Sequence, residues 1–580
     1  MASRTQSHHF IPRFVLRRFA PEDQPPAAPA ASPPRRESRR DFLVNKIDLD
    51  AGILTQRPVS TEFALVDMYR DPGFAENPYH LEEKLSKLES QASEVLRKAC
   101  LAFDGGNILE LKRGEVDTLR KFLFLMKYRS TDMFDRYNHD SIDGYDSNDW
   151  LRMRTYMETK GFTKPRDVWF DNLSHMLDLE MDAAKTWVKT LSLKVYPDDA
   201  LMFYLHLSSS FMAFCSPENT EDEFLLTQNA YGIFEGPSSG KIDLATGKDE
   251  GVAYTEYHNF APVAPKLLIV LRSHVLQHSG KDNMPDNLRR HMEAAMRAQH
   301  LCPERAGSIL QDLPVQPCSV LYTHKSSSSL HENDRFRFQC FKVSGAHVTT
   351  INNLLLEEAH HISSIVYHSP VALRSSLHKY LEDSRQGMKR FLDRSSDKRR
   401  SYFRTLKKVL RDLGGTASSK LHPFDLAEAR IRVHMAIYAG LSVGSQLLNR
   451  QERAMFPRAY TMLKQDVTVK GFWTDVDQAS RMLLLRIKID SALRLSNLSE
   501  DEKQAVRDQR AEFFMTFPVE RIWIYLKIAR NLNKFREDDF MVQVKPLVLH
   551  GVEDGYAEVI ARFPSARGYL ACNMFMAGAT

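Results

Sequence analysis

Leu81, Leu85 and Leu88 recur at helical spacing within HLEEKLSKLE, and Val95 and Leu96 prolong the row, so the chain from residue 80 predicts a helix with one apolar face. Glu82, Glu83 and Glu89 can then point away from that face. Similar periodicity predicts helices over 112–129, 168–188, 200–214, 289–300, 352–365, 372–392, 424–448, 475–493 and 519–533. Short apolar runs at 224–227, 267–271, 336–341 and 346–350, separated by Gly- and Pro-bearing turns, predict strands. The pattern describes a mainly α fold of α+β type, a large helical body with a small central β-sheet. It carries no dinucleotide-binding Rossmann fingerprint and no tandem repeat.

The opening run SHHFIPRFVLRRF sets two imidazoles and three guanidinium groups in an apolar frame of Phe10, Ile11, Phe14, Val15, Leu16 and Phe19. Such a stretch is expected to dock on the body of the fold as a short strand or helix, although a mobile arm would carry the same residues. Residues 21–40 are rich in Pro, Ala, Ser and Arg and read as a flexible insertion. The expected organisation is therefore a docked motif at 1–20, the insertion at 21–40, an α+β catalytic core at 41–370, and a mainly helical region at 371–580 packed on that core.

A chain of 580 residues can enclose a site, and its 79 basic side chains are nearly balanced by 74 acidic ones. Any surface for a polyanion must therefore be local. The six cysteines lie far apart in the sequence, which argues against a zinc ribbon or a disulfide scaffold and suits a reducing compartment. No segment offers 18 uncharged apolar residues, so no membrane association is expected and a cytoplasmic location is the default. The basic cluster near 398–408 leaves nuclear entry open.

Candidate chemistry is thin. His8 or His9 with Glu83 could begin a metal site, but neither HExxH nor CxxC supplies the remaining ligands, so no metal is expected. Packing or substrate hydrogen bonding is the alternative role for these histidines. Lys127 and Arg129 close an apolar helix, where cations are favourable in their own right; with Arg13, Arg17 and Arg18 they would also make a phosphate-reading surface. Gln228 and Asn229 follow an apolar strand and suit either substrate contact or an ordinary turn. No nucleophile elbow is present, and Ser208, Ser209 and Ser210 sit where hydroxyls can bond to helix carbonyls. Asp475 reads as a helix cap, with Asp477 and Arg481 as a solvated pair. Neither a P-loop nor a kinase, flavin or nicotinamide signature occurs, so no cofactor and no ATP binding are expected.

The opening SHHFIPRFVLRRF resembles the amino-terminal hallmark of the domain of unknown function 4238 family. Segments 81–89, 122–130, 224–230, 265–272 and 352–359 extend the likeness over about residues 5–370. The Pro-rich insertion is longer than the family pattern, and Gln228-Asn229-Ala230 stands where relatives carry an Asp-Asn-Pro turn. Within fungi the resemblance also points to the arginine-containing cyclodipeptide synthases, which take arginine from arginyl-tRNA and join it to a second amino acid as a 2,5-diketopiperazine, a secondary metabolite. It implies an aminoacyltransferase whose substrates arrive already activated as aminoacyl-tRNAs. In that setting His9, then His8, would act as base or orienting group. Arg13 and Arg129 would meet phosphate or oxyanion charge, Arg17 and Arg18 the nucleic acid, and Glu83 and Glu89 a guanidinium or ammonium group. Ser130 would be the nucleophile if an aminoacyl-enzyme forms, with Lys127, Gln228 and Asn229 binding substrate.

Two other classes compete. A nuclease or phosphodiesterase built on His8, His9 and acidic helix residues would cleave RNA or DNA. A noncatalytic helical scaffold would use the same residues for folding or partner binding.

Overall fold

The computed structural model describes residues 5–21, 41–145, 147, 149–236, 238–242, 249–254, 256–276, 303–323, 330–385, 387–391, 398–419, 421–423, 460, 463–464 and 468–525. The expected helices at 289–300 and 424–448, the end of the one at 519–533 and nearly all of the Pro-rich insertion lie outside these residues. Contacts divide the chain into two compact units, one of residues 1–236, 256–283 and 308–424, the other of residues 237–255, 284–307 and 425–580.

The fold is mainly helical with β-sheet at the centre of the first unit, as the periodicity predicts. The sheet content exceeds the expectation. One sheet runs in the order Ser319–Leu321, Arg335–Val343, Ser210–Pro217, Leu267–Ser273, His258–Ala264 and Phe234–Glu235, with Ile108–Lys112 also paired to Arg335–Val343. Its neighbours are antiparallel except Arg335–Val343 and Ser210–Pro217, which run parallel with Cys340 opposite Phe214. Ser210–Pro217 is buried at all eight positions, so it lacks the alternation of a half-solvated strand. That is why its residues read as the end of a helix over 200–214; the helix stops at Ser208.

A second sheet has the order Ile53–Pro58, Leu43–Asp48, Ser364–Tyr367, Leu226–Thr227. Ile365 sits opposite Ile47 on one side and Thr227 on the other, so segments more than 130 residues apart share one ladder.

Other differences have local causes. The expected strand at 346–350 is the start of helix Gly345–Glu357, because Ser344 Oγ accepts the His347 N–H as a cap and Val348, Ile351, Leu354 and Leu355 continue at helical spacing into the core. The span 168–188 splits into helices Pro165–Asp178 and Trp187–Lys194. Between them the Asp182 carboxylate accepts the N–H groups of Thr186 and Trp187 and starts the second helix. The span 352–365 gives way after Glu357 to a short 3-10 turn and the strand Ser364–Tyr367, and the helix expected at 372–392 runs from Pro370 to Glu382.

In the second unit, residues 238–242 and 249–254 form an antiparallel hairpin. Helix Val469–Leu495 begins at Thr468, whose hydroxyl caps Gly471 N–H, and not at Asp475. Asp475 is instead buried mid-helix, held by Tyr460 Oη at 2.6 Å, Lys464 Nζ at 2.5 Å and Arg521 Nε at 3.1 Å. Among the described residues no helix is long and apolar enough to cross a membrane.

Candidate functional site

The amino-terminal run is folded into the first unit. Strand β1 (Ser7–His9) pairs antiparallel with residues Ala64–Val66, and Phe10 N–H continues the ladder to Phe63 carbonyl at 3.1 Å. Pro12, with its fixed φ, then opens the one-turn helix α1 (Arg13–Leu16). Phe10, Ile11, Val15, Leu16 and Phe19 are all buried in the core, and Phe14 meets Phe122 with ring centres 5.9 Å apart. Burying these side chains contributes on the order of 1.5–3 kcal/mol each, which fixes the backbone that carries His8, His9 and Arg13.

Both histidines are buried, and their hydrogen bonds identify their protonation. His9 Nε2 lies 3.0 Å from Val59 carbonyl, which can only accept, so the imidazole carries its proton there. Its Nδ1 lone pair faces Arg13 Nε at 3.5 Å. Burial, opposed by the Val59 bond and assisted by the charges of Arg13 and Arg129, pushes its pKa down to about 4. His8 Nδ1 accepts the Tyr69 N–H at 2.9 Å, and its ring stacks on Tyr69 with centroids 5.5 Å apart. Its Nε2 is buried without a hydrogen-bond partner among the described residues. Burial lowers its pKa also, against the pull of Asp67. Two neutral imidazoles thus line this corner.

The facing wall comes from two helices, α2 (His80–Asp104) and α3 (Arg113–Tyr128). In α2 the apolar row of Leu81, Leu85 and Leu88 is buried as the spacing predicts. Glu82 and Glu89, seven residues apart, flank that row on one side and share an electrostatic neighbourhood with Arg129. Arg129 follows the last turn of α3, is 1% exposed, and donates from Nη1 to Glu89 Oε1 at 2.7 Å. Its Nε is buried with no hydrogen-bond partner among the described residues, and the buried hydroxyl of Tyr69 lies close enough to Arg129, Glu82 and Glu89 to feel all three, Arg129 most strongly. Burial, with Glu89 beside it, raises the proton affinity of the Glu82 carboxyl despite Arg129 and Arg13.

His9, Arg13, Arg129 and Glu89 therefore belong to one polar cluster with His8 at its edge, and Glu82 and Tyr69 join them although the sequence reading did not select either. The signal for Glu82 was available: positions 82 and 89 lie on one helical stripe beside the leucines, whereas 83 is turned away. Glu83 is exposed and outside the cluster. Arg13 is exposed and forms no ion pair among the described residues. Arg18 donates to Cys100 Sγ at 2.8 Å and acts electrostatically on the buried Tyr231, as Arg129 does. Arg17 is exposed, with its guanidinium 6.0 Å from the Phe42 ring centre.

The remaining selected residues are engaged elsewhere. Ser130 caps the helix Thr131–Tyr137, its hydroxyl accepting Met133 N–H at 3.4 Å. Lys127 Nζ is paired with Glu256 at 2.6 Å. Gln228 accepts both the N–H and the hydroxyl of Ser363, and Asn229 Nδ2 donates to Glu358 carbonyl at 2.9 Å. Each is explained by the contact it makes in the fold. Ser208 and Ser209 hydroxyls donate back to the carbonyls of Tyr204 and Leu205.

Among the described residues no group of three or more His, Cys, Asp or Glu side chains is gathered as a metal site would require. What the cluster offers is a carboxyl with raised proton affinity, an exposed guanidinium and hydrogen-bonding groups fixed by burial. That set can hold an anionic group while accepting a proton from an amine or hydroxyl.

No curated protein and no solved structure matches the chain. A family model described as protein of unknown function (DUF4238) matches residues 7–371, which contain β1, α1, both cluster helices and every residue of the cluster. The match covers well over half of the sequence, and the chain belongs to the DUF4238 family.

Proposed function

We propose that the protein is an aminoacyl-tRNA-dependent cyclodipeptide synthase, joining arginine from arginyl-tRNA to a second amino acid. The observation that carries the reading is the polar cluster itself, where the Arg129–Glu89 pair at 2.7 Å and the Arg13–His9 contact at 3.5 Å lie with Glu82, whose carboxyl is held at raised proton affinity by burial and by Glu89. The resemblance of the opening motif to the fungal synthases supplies the substrate class.

The chemistry needs no nucleotide cofactor, because each aminoacyl ester is already activated. The α-amine of one aminoacyl group attacks the ester carbonyl of the other. A C–N bond forms, the C–O bond to the tRNA 3′ end breaks, and the amine proton passes through Glu82 to the departing hydroxyl. The free amine of the resulting dipeptidyl-tRNA then attacks its own ester and closes the six-membered ring, releasing the second tRNA. Arg13 stabilises the oxyanion or the terminal phosphate in both steps. His9 suits orientation better than proton abstraction, since an imidazole with a pKa near 4 is a weak base at neutral pH. Its Nδ1 lone pair holds Arg13 in place.

The test is mass spectrometry of a cell extract containing all charged tRNAs and the purified protein. An arginine-containing cyclic dipeptide is expected, and Glu82→Gln lowers its rate by about 10²-fold or more. Absence of any cyclic dipeptide with the wild-type protein overturns the reading.

A further inference from the structure

Helix Lys398–Asp412 lies beyond the region matched by the family model and carries seven basic residues against one acidic residue, Asp412. Its two sides are used differently. Tyr402, Phe403, Leu406, Val409 and Leu410 are buried, and Tyr402 Oη donates to Leu356 carbonyl at 2.7 Å. Arg399 pairs with the buried Glu357 at 3.2 Å, and the Arg400 guanidinium sits 4.4 Å from the Phe391 ring centre. These residues hold the helix to the first unit.

Arg404, Lys408 and Arg411 recur at i, i+4 and i+7 on the opposite side and are exposed. None of the three forms an ion pair among the described residues. Lys408 passes over Gly52, which carries the charge of this face across the neighbouring turn. The helix dipole accounts for a cation in the last turn, where Arg411 sits, but not for Arg404 or Lys408 further back along the helix.

We infer that this exposed face, Arg404, Lys408 and Arg411, is a binding surface for the phosphate backbone of RNA. The stripe from 404 to 411 covers about 10 Å of helix axis, over which one strand of a duplex presents about three phosphates. An anionic membrane would also attract the charge. A membrane-bound helix, however, inserts an apolar face into the lipid, and the apolar face of this helix is already inside the protein. The inference is independent of the cyclodipeptide reading, since it concerns binding and a different set of residues.

The experiment measures binding of uncharged total tRNA to the full-length protein by fluorescence anisotropy across a salt series. The triple variant Arg404→Gln, Lys408→Gln, Arg411→Gln is expected to bind at least about tenfold more weakly, and the slope of log affinity against log salt concentration falls by about three. Its thermal melting stays with the wild type, and the charge-keeping variant Arg404→Lys, Arg411→Lys retains binding. Unchanged affinity and slope in a folded triple variant overturn the inference. So does a triple variant that keeps tRNA binding but loses binding to phosphatidylserine vesicles, which would assign the surface to lipid. Loss of tRNA binding in a protein that makes no cyclic dipeptide leaves this inference standing and removes only the catalytic reading.

Discussion

His9 links protonation to the integrity of the cluster. Its imidazole has a pKa near 6.5 when unfolded and about 4 in the fold, so between these values the unfolded chain binds the extra proton. Stability is therefore highest above pH 6.5, falls as pH drops through this window and levels off below 4, with His9 accounting for roughly 3 kcal/mol of the loss. Equilibrium denaturation of wild type and His9→Gln across pH 4–7 isolates this contribution, because the other buried histidines cancel in the difference. The wild type should lose more stability on acidification than the variant; parallel curves would show that His9 is not buried neutral. Residue-level legibility was uneven. The opening motif singled out His9 and Arg13, whereas Lys127 was selected as a cation closing an apolar helix and Ser130 as a hydroxyl beside it. A capping hydroxyl and a catalytic one look alike in one dimension, and the partner Glu256, 129 residues from Lys127, cannot be inferred from local spacing.

At the scale of elements, helix termini explain several residues that a functional reading would otherwise claim. Ser130 is such a case: Ser130→Ala should cost about 1 kcal/mol in denaturant titration, the usual value of a lost cap, and leave product formation unchanged. A loss of product with the fold intact would return Ser130 to the chemistry. The amphipathic helices were readable because burial repeats every turn, and α2 keeps Leu81, Leu85 and Leu88 inside. Leu267–Ser273 and Arg335–Val343 were readable as uninterrupted or alternating apolar strands. Ser210–Pro217 was not, since a strand covered on both faces has no period to detect. Two-residue strands such as Leu226–Thr227 acquire their identity from the neighbour they pair with.

For the whole molecule, depth of burial predicts a hierarchy of opening. Hydrogen exchange should be slowest at amides of Ser210–Pro217 and Leu267–Ser273, which are paired on both sides and buried throughout. The Phe10 amide, bonded to Phe63 carbonyl under a buried ring, should be far better protected than its position near the chain start would imply. Rapid exchange at Phe10 would detach the candidate site from the core. The mainly helical class followed from sequence, but the sheet orders did not, because they join segments whose separation carries no local signal.

The ladder joining Leu43–Asp48 to Ser364–Tyr367 also sets a timetable for biogenesis. Translation at 5–20 residues per second needs roughly 15–65 seconds between delivering Ile47 and its partner Ile365. Strand His258–Ala264, on which α1 rests, emerges earlier but still long after the opening motif. During that interval Phe10, Ile11, Val15, Leu16 and Phe19 have left the ribosome before their eventual cover exists. The nascent motif thus stays sticky while it awaits its carboxyl-side half, and a chaperone that shields it would raise the yield of native protein without altering the folded state.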